Sequence, residues 1–300
     1  MDSTNTTGKK AFSAICLINM NTIKIIIMLA ALSGVFMVVG ALLGGRIGLV
    51  IALIFSAVMN FGGYWYSDSI VLKMYGAQPV TEEKAPLLYK TVRDLADKAN
   101  MPMPKVYIIP DKSPNAFATG RNENHAAIAV TSGILDILNK DELGGVIGHE
   151  LSHIKHNDIL IGTMAATIVS AVVVVSSVAK WAAIMGGGGE DMGGTIKLIA
   201  TAVIAPLAAT LIQMAISRSR EYYADAGAAK TTGQPEALAS SLEKLTKAAK
   251  KIPMDANPAT AHMFIVNPLS GNMIMNLFST HPPLEKRIER LRAMKPVGSF

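Results

Sequence analysis

Charged residues come in blocks along this 300-residue chain, and the stretches between the blocks are long. No Asp, Glu, Lys or Arg occurs in residues 25–45, 47–67, 159–179 or 198–217. These runs hold 21, 21, 21 and 20 residues. A helix rises about 1.5 Å per residue, so about 20 residues cross a ~30 Å hydrocarbon core. The pattern predicts four membrane-spanning helices in two pairs, 25–67 and 159–217. Ala, Thr and Ser are frequent in the second pair, so a hydrophobic hairpin packed partly on protein is the alternative there.

The polar blocks set the organisation. A leader covers 1–24, and Met20 opens the phrase that leads directly into the first span, which makes it a candidate start. Lys and Arg gather in the leader, in 68–158 and in 218–300, while the loop 181–194 carries only Glu190 and Asp191. By the positive-inside rule both large polar blocks face the cytoplasm, giving a multi-pass protein of a bacterial-type cytoplasmic (inner) membrane. The two blocks, 68–158 and 218–300, fold together as one domain interrupted by the second hairpin.

Within these blocks the periodicity changes. Residues 82–99 place Leu87, Leu88, Val92, Leu95 and Ala96 at helical spacing. Residues 106–109 and 126–130 read as short strands, and 115–120 as a third at an edge. Asp141 and Glu142 charge the first turn of a helix, which suits its positive end. Pro235 opens a helix over 235–251. A last amphipathic helix follows Pro282 and Pro283, with Leu284, Ile288 and Leu291 on one face.

Composition narrows the function classes. Half the residues are hydrophobic and 17% are charged, which excludes a disordered chain and disfavours a purely water-soluble one. A single cysteine, Cys16, excludes an internal disulfide framework and a Cys-based zinc finger. The net charge of +6 follows the membrane topology, and no nucleic-acid-binding motif accompanies it, so no nucleic-acid partner is expected.

The chemistry lies on the helix that ends the first block. His149, Glu150, Leu151, Ser152 and His153 form H-E-x-x-H. Residues four apart share a helix face, so both imidazoles reach one metal, with Glu150 beside it as general base. Zinc suits imidazole and carboxylate donors, and one Zn2+ per chain is expected. Leu143, Ile147, Leu151 and Ile154 form an apolar stripe opposite the imidazoles. His156 lies ~10 Å along the axis from His149 and reads as a polar-face residue. The third ligand is expected at Glu221. Asp225, one turn on, is placed to accept the free N–H of a ligand histidine. The bland alternative is a surface pair of Glu221 with Arg220. The second hairpin would join the ends of the two helices, bringing Glu221 back to His153.

Four segments together resemble the HtpX family of membrane-embedded zinc metalloproteases, which is related to the CAAX prenyl proteases. They are 149–158 (HELSHIKHND), 221–225 (EYYAD), 115–120 (NAFATG) and 279–288 (STHPPLEKRI). The resemblance runs from Met20 over nearly the whole chain. It implies a mainly α fold with a small β-sheet, a zincin-like (gluzincin) metalloprotease domain attached to transmembrane helices. It implies His149, His153 and Glu221 as zinc ligands, Glu150 as base and Asp225 as a support behind the ligands. Asn115, Ala116, Phe117 and Ala118 would belong to an edge strand beside the cleft, where an extended substrate adds by main-chain hydrogen bonds. His281 and Arg287 belong to the C-terminal motif; His281 either contacts the developing oxyanion or caps the last helix. Gly144, Gly145 and Gly148 depart from good helix formers in the active helix and suggest close helix packing.

The resulting expectation is a membrane-bound zinc endopeptidase acting on protein or peptide substrates, with the lipid bilayer as its other partner. Misfolded or damaged membrane proteins are the substrates the resemblance implies. The rivals are a narrow-specificity processing peptidase and a non-catalytic zinc-binding scaffold. A transporter is disfavoured because none of the four runs holds an ionisable side chain.

Overall fold

The computed structural model describes residues 20–165, 218–257, 260–266, 268 and 282–294. Residues 1–19 of the leader, His281 and most of the second hydrophobic pair therefore lie outside the described residues. The chain divides into two compact units, 1–56 and 57–300.

Helix α1 runs Met20–Met74 and is broken at Gly45, whose φ of 57° and ψ of −136° suit only a residue without Cβ. The sequence placed the first connection there. In the first unit the chain doubles back at this point. A Cβ on Gly40 would lie 2.4 Å from the Gly48 carbonyl oxygen, and the Phe36 and Phe55 rings meet edge-on at 5.2 Å. Among the described residues one helix, Gly44–Met74, is long and apolar enough to cross a membrane. The arm before Gly45 is helical from Met20 and contains the apolar stretch Ile25–Val38.

The second unit is built on a four-stranded sheet of order β1-β2-β4-β3. The strands are β1 (Gln78–Pro79), β2 (Lys105–Ile109), β3 (Ala116–Gly120) and β4 (Ala126–Thr131). β2 and β4 are parallel; the other two pairings are antiparallel. The expected third strand is therefore at an edge. β4 is buried throughout because both faces are covered: Ala126, Ile128 and Val130 enter one core, and Ala127 and Ala129 enter the other. Around the sheet lie α2 (Pro86–Lys98), α3 (Ser132–Ile137), α4 (Lys140–Lys155), α5 (Arg218–Thr232), α6 (Pro235–Ala249) and α7 (Leu284–Ala293). Helix α2 starts four residues later than expected, with Pro86 in its first turn. The fold is mainly α with a small mixed sheet, as the sequence implied.

The larger core lies between one sheet face and α2, α4, α5 and α6. Helix α4 is at its centre, with Leu143, Ile147, Leu151 and Ile154 all buried. Its start is fixed by a capping box. The Glu142 N–H donates to Asn139 Oδ1 (2.9 Å) and the Asn139 N–H donates to Glu142 Oε2 (3.0 Å). Its end is marked by Asn157 in the left-handed region at φ 56°.

Candidate active site and metal centre

Small residues let α4 meet its neighbours at backbone distance. A Cβ on Gly145 would stand 2.9 Å from Leu238 Cα on α6, and one on Gly148 would stand 3.3 Å from Ala228 Cα on α5. From the other side, a Cβ on Gly227 of α5 would fall 2.2 Å from Ser152 Oγ. The close packing expected of the α4 glycines holds for Gly145 and Gly148. Gly144 has no neighbour within 4 Å of such an atom.

That approach brings α5's acidic residues onto the histidines of α4. His149 Nε2 and His153 Nε2 are 3.1 Å apart. Glu221 Oε2 lies 3.7 Å from His149 Nε2, and Glu221 Oε1 lies 3.5 Å from His153 Nε2. One donor atom from each of the three side chains falls within a 4.8 Å group, which makes them a candidate metal cluster. His156 is outside it: its exposed ring stays on its own helix end, with Nδ1 2.7 Å from the Ser152 carbonyl oxygen. Arg220 reaches Asp158, its Nη1 lying 3.0 Å from Oδ1.

Behind the cluster, His149 Nδ1 stands 3.0 Å from Asp225 Oδ1. Arg287 of α7, 2% exposed, holds both oxygens of Asp225 through Nη2 (2.7 Å) and Nε (2.9 Å). Its Nη1 also donates to the Ile265 carbonyl at 3.4 Å. Burial pushes the Asp225 carboxyl up, but Arg287 outweighs it and holds the group well below the usual carboxylate range. Burial holds His149 below the ordinary imidazole range, against the pull of Asp225. Burial also lowers His153, but Asp158, Glu221 and Glu150 outweigh it and push it up to about 9. Glu150, 2% exposed, is pushed up to about 7 by burial, with Glu221 adding and His153 opposing.

His149, Glu150, His153, Asp158 and Glu221 line one cleft, together with Ala118, Gly162 and His262, while Asp225 and Arg287 stand behind it. Of the four edge-strand residues suggested by the sequence, only Ala118 lines it. Its backbone bonds to Glu150. The other three make internal contacts. Asn115 donates through Nδ2 to the Val266 carbonyl at 2.8 Å. The Ala116 carbonyl accepts from the Ile265 N–H at 3.1 Å, so residues 265–266 occupy that end of the edge. Phe117 turns to the opposite sheet face and packs against Tyr75 and Phe264. Tyr222 lies under the Arg290 guanidinium, and Tyr223 is exposed.

The sequence left three contributors without a site role. Arg287 sits within the apolar stripe of α7, three residues after Leu284 and one before Ile288, and that position was the available signal for its inward turn. Asp158 closes the 149–158 motif but carried no signal of its role, and His262 carried none at all. His262 reaches the cleft wall from a short 3-10 turn, with Nε2 3.2 Å from the Gly162 carbonyl oxygen.

Comparison with known proteins agrees with this geometry. The pattern of "Peptidase family M48" matches residues 82–295. Proteins called "Protease HtpX homolog" align over most of their length. That of Desulforapulum autotrophicum is 58% identical over 276 residues, covering 91% of this chain and 89% of that one. That of Thermodesulfovibrio yellowstonii is 55% identical over 278 residues, covering 92% and 99%. That of Thermococcus kodakarensis is 56% identical over 270 residues, covering 89% and 93%. A crystal structure of S. mikatae Ste24p aligns with a TM-score of 0.49 at 16% identity, covering 95% of this chain and 66% of that one. Family membership makes the protein a metalloprotease and implies a metal at its centre. The match spans the helix of the two histidines, that of Glu221 and that of Arg287, and the chain belongs to peptidase family M48, among the HtpX-type proteases.

Proposed function

We propose that the protein is a zinc-dependent endopeptidase that hydrolyses peptide bonds in misfolded or damaged membrane proteins, with its site on the cytoplasmic side of a bacterial-type membrane. The observation that carries the zinc reading is the triangle of His149, His153 and Glu221. Two donors at about 2.0–2.1 Å from a tetrahedral ion stand about 3.3 Å apart. The two imidazole nitrogens stand 3.1 Å apart, and each has a Glu221 oxygen near that spacing, Oε1 at 3.5 Å from His153 and Oε2 at 3.7 Å from His149. Charge fits as well. With the histidines neutral, as metal binding requires, and Glu150 ionised, the carboxylates of Glu150, Asp158, Glu221 and Asp225 outnumber the guanidinium groups of Arg220 and Arg287, an excess of negative charge that suits one divalent cation.

His149 and His153 would hold the ion through Nε2 and Glu221 through its carboxylate. When bound, zinc acidifies water and polarises a peptide carbonyl. The chain supplies the proton movements. The Glu150 carboxylate accepts a proton from the attacking water and passes it to the departing amide nitrogen. Burial raises this carboxyl, which strengthens it as a base for that transfer. Asp225 accepts the Nδ1–H of His149 and so keeps Nε2 free for the metal. The backbone at Ala118, where the edge strand β3 lines the cleft, is where a substrate strand would align, reading main chain in preference to side chains. This recognition and the Gly44–Met74 helix support substrates that unfold at a membrane.

The test is proteolysis of an unfolded, casein-like substrate by the detergent-solubilised protein with zinc, beside Glu150→Gln, with zinc content measured on both. The expected result is zinc in both and cleavage by the wild type alone. Zinc bound to both without cleavage in any lipid condition would overturn the endopeptidase reading in favour of a scaffold or a narrow processing peptidase.

A further inference from the structure

Each histidine of the cluster turns Nε2 toward Glu221 and its fellow histidine, which leaves Nδ1 facing away. A neutral imidazole with Nε2 free for a metal carries its proton on Nδ1, and that proton needs an acceptor. For His149 the acceptor is Asp225. For His153 it is Asp158, whose Oδ2 lies 3.4 Å from Nδ1. The parallel extends one step further. Asp225 is gripped by Arg287, and Asp158 Oδ1 lies 3.0 Å from Arg220 Nη1. Asp158 sits just past the end of α4 and is largely buried, although Lys155 and His156 beside it are exposed. Arg220 comes from the first turn of α5, next to Glu221.

We propose that Asp158 is the positioning residue for His153 and that Arg220 positions Asp158. The site then contains two imidazole–carboxylate–guanidinium chains, one behind each histidine. The second chain has a further property. It joins the end of the helix bearing both histidines to the start of the helix bearing Glu221, so one ion pair sets a tautomer and also the distance between donors. The proposal rests on the zinc reading above.

The test measures zinc affinity by chelator competition on the folded, detergent-solubilised protein, and the visible absorption of the Co2+-substituted form. The variants are Asp158→Ala, the equal-sized Asp158→Asn and Arg220→Gln. Asp158→Ala is expected to bind zinc about 10–100-fold more weakly, the usual range for losing such a partner. Arg220→Gln should follow in the same direction, and the Co2+ spectrum should change in all three. Asp158→Asn keeps the volume and answers the question if Asp158→Ala does not fold. A purely structural ion pair would lower apo stability alike in all three and leave zinc affinity and the Co2+ spectrum unchanged. Affinity within twofold of wild type in the folded Asp158 variants overturns the proposal while the zinc reading stands. A wild type that binds no zinc overturns both.

Discussion

A single methyl group at Gly227 tests whether helix approach sets the site. Built on the backbone, the Cβ of Gly227→Ala stands 2.2 Å from Ser152 Oγ and 2.9 Å from Ser152 Cβ. The hydroxyl can rotate away, but the Ser152 Cβ is fixed to α4. Ordinary carbon contact begins near 3.5 Å, so α4 and α5 must part locally by about 0.6–1 Å. Overpacking of this kind costs about 1–3 kcal/mol, and the gain in helix propensity of Ala over Gly offsets about 1 kcal/mol. The net loss, about 0–2 kcal/mol, lowers Tm by about 2–4 °C per kcal/mol in a unit of this size. The site should suffer more than the fold. Asp225 lies two residues before Gly227, and its 3.0 Å contact to His149 Nδ1 would stretch toward 4 Å, beyond a hydrogen bond. Zinc affinity should fall about 10–100-fold. Differential scanning fluorimetry and chelator competition read the two effects separately. Adding Ser152→Gly removes both clashing atoms and should restore zinc affinity, whereas Ser152→Ala leaves the 2.9 Å contact and should restore less. Wild-type zinc affinity in Gly227→Ala alone would refute the reasoning.

Three further outcomes are expected. Arg287→Met leaves Asp225 buried without its cation and should cost about 3–5 kcal/mol in chemical denaturation; Arg287→Lys should not rescue it, since the two-point grip on Asp225 needs the guanidinium fork. A loss within 1 kcal/mol would contradict this. Burial raises the Glu142 carboxyl, but Lys244, Ser240 and the Asn139 N–H outweigh it and hold it below its usual value. A depressed folded-state pKa stabilises above the unfolded value, about 4.3, and that stability is lost as pH falls through the folded value. Glu142→Gln should therefore flatten the acid limb of Tm against pH, and an unchanged slope below pH ~4.5 would count against it. Removing the metal with a chelator should abolish turnover, and zinc restored at about 100 times its Kd should return about 2.7 kcal/mol of stability; full activity after verified metal removal would remove the metal from the mechanism.

Residues that act through local spacing were legible in the sequence. The H-E-x-x-H pair needs only helix geometry, and Asp225 stands one turn from Glu221, so both followed from position. The edge placement of β3 was legible from its shortness. What failed to show depends on directions that only packing fixes. Arg220 was weighed as a partner of Glu221, yet adjacent residues on a helix point about 100° apart, and Arg220 pairs with Asp158 on another element. Phe117 was grouped with the cleft because it sits between cleft candidates. Strand alternation sends it to the opposite face, where Phe264 and Tyr75 enclose it. β1 has two residues and α3 six, too few for any period to register. Arg287 was readable as part of a motif, but its grip on Asp225 required knowing that α7 packs its apolar stripe against the site.

The donors of the candidate centre are not contiguous, and this has a consequence for how the enzyme comes into being. Two lie on α4; the third waits on α5 beyond residues 156–217, and the arginine that secures Asp225 comes later still, on α7. Order of synthesis is therefore order of arming. A ribosome that has delivered α4 has made two histidines and a base, but no site that can retain zinc in hydrolytic geometry. Only when the intervening hydrophobic stretch has been settled and the rest of the chain has followed do all the parts exist together. A nascent protease held in that half-finished state is harmless to itself and to other chains emerging beside it. A truncated form ending before Leu284 should keep all three donors yet fail to hold zinc as the full chain does, which metal analysis of the folded fraction can read directly.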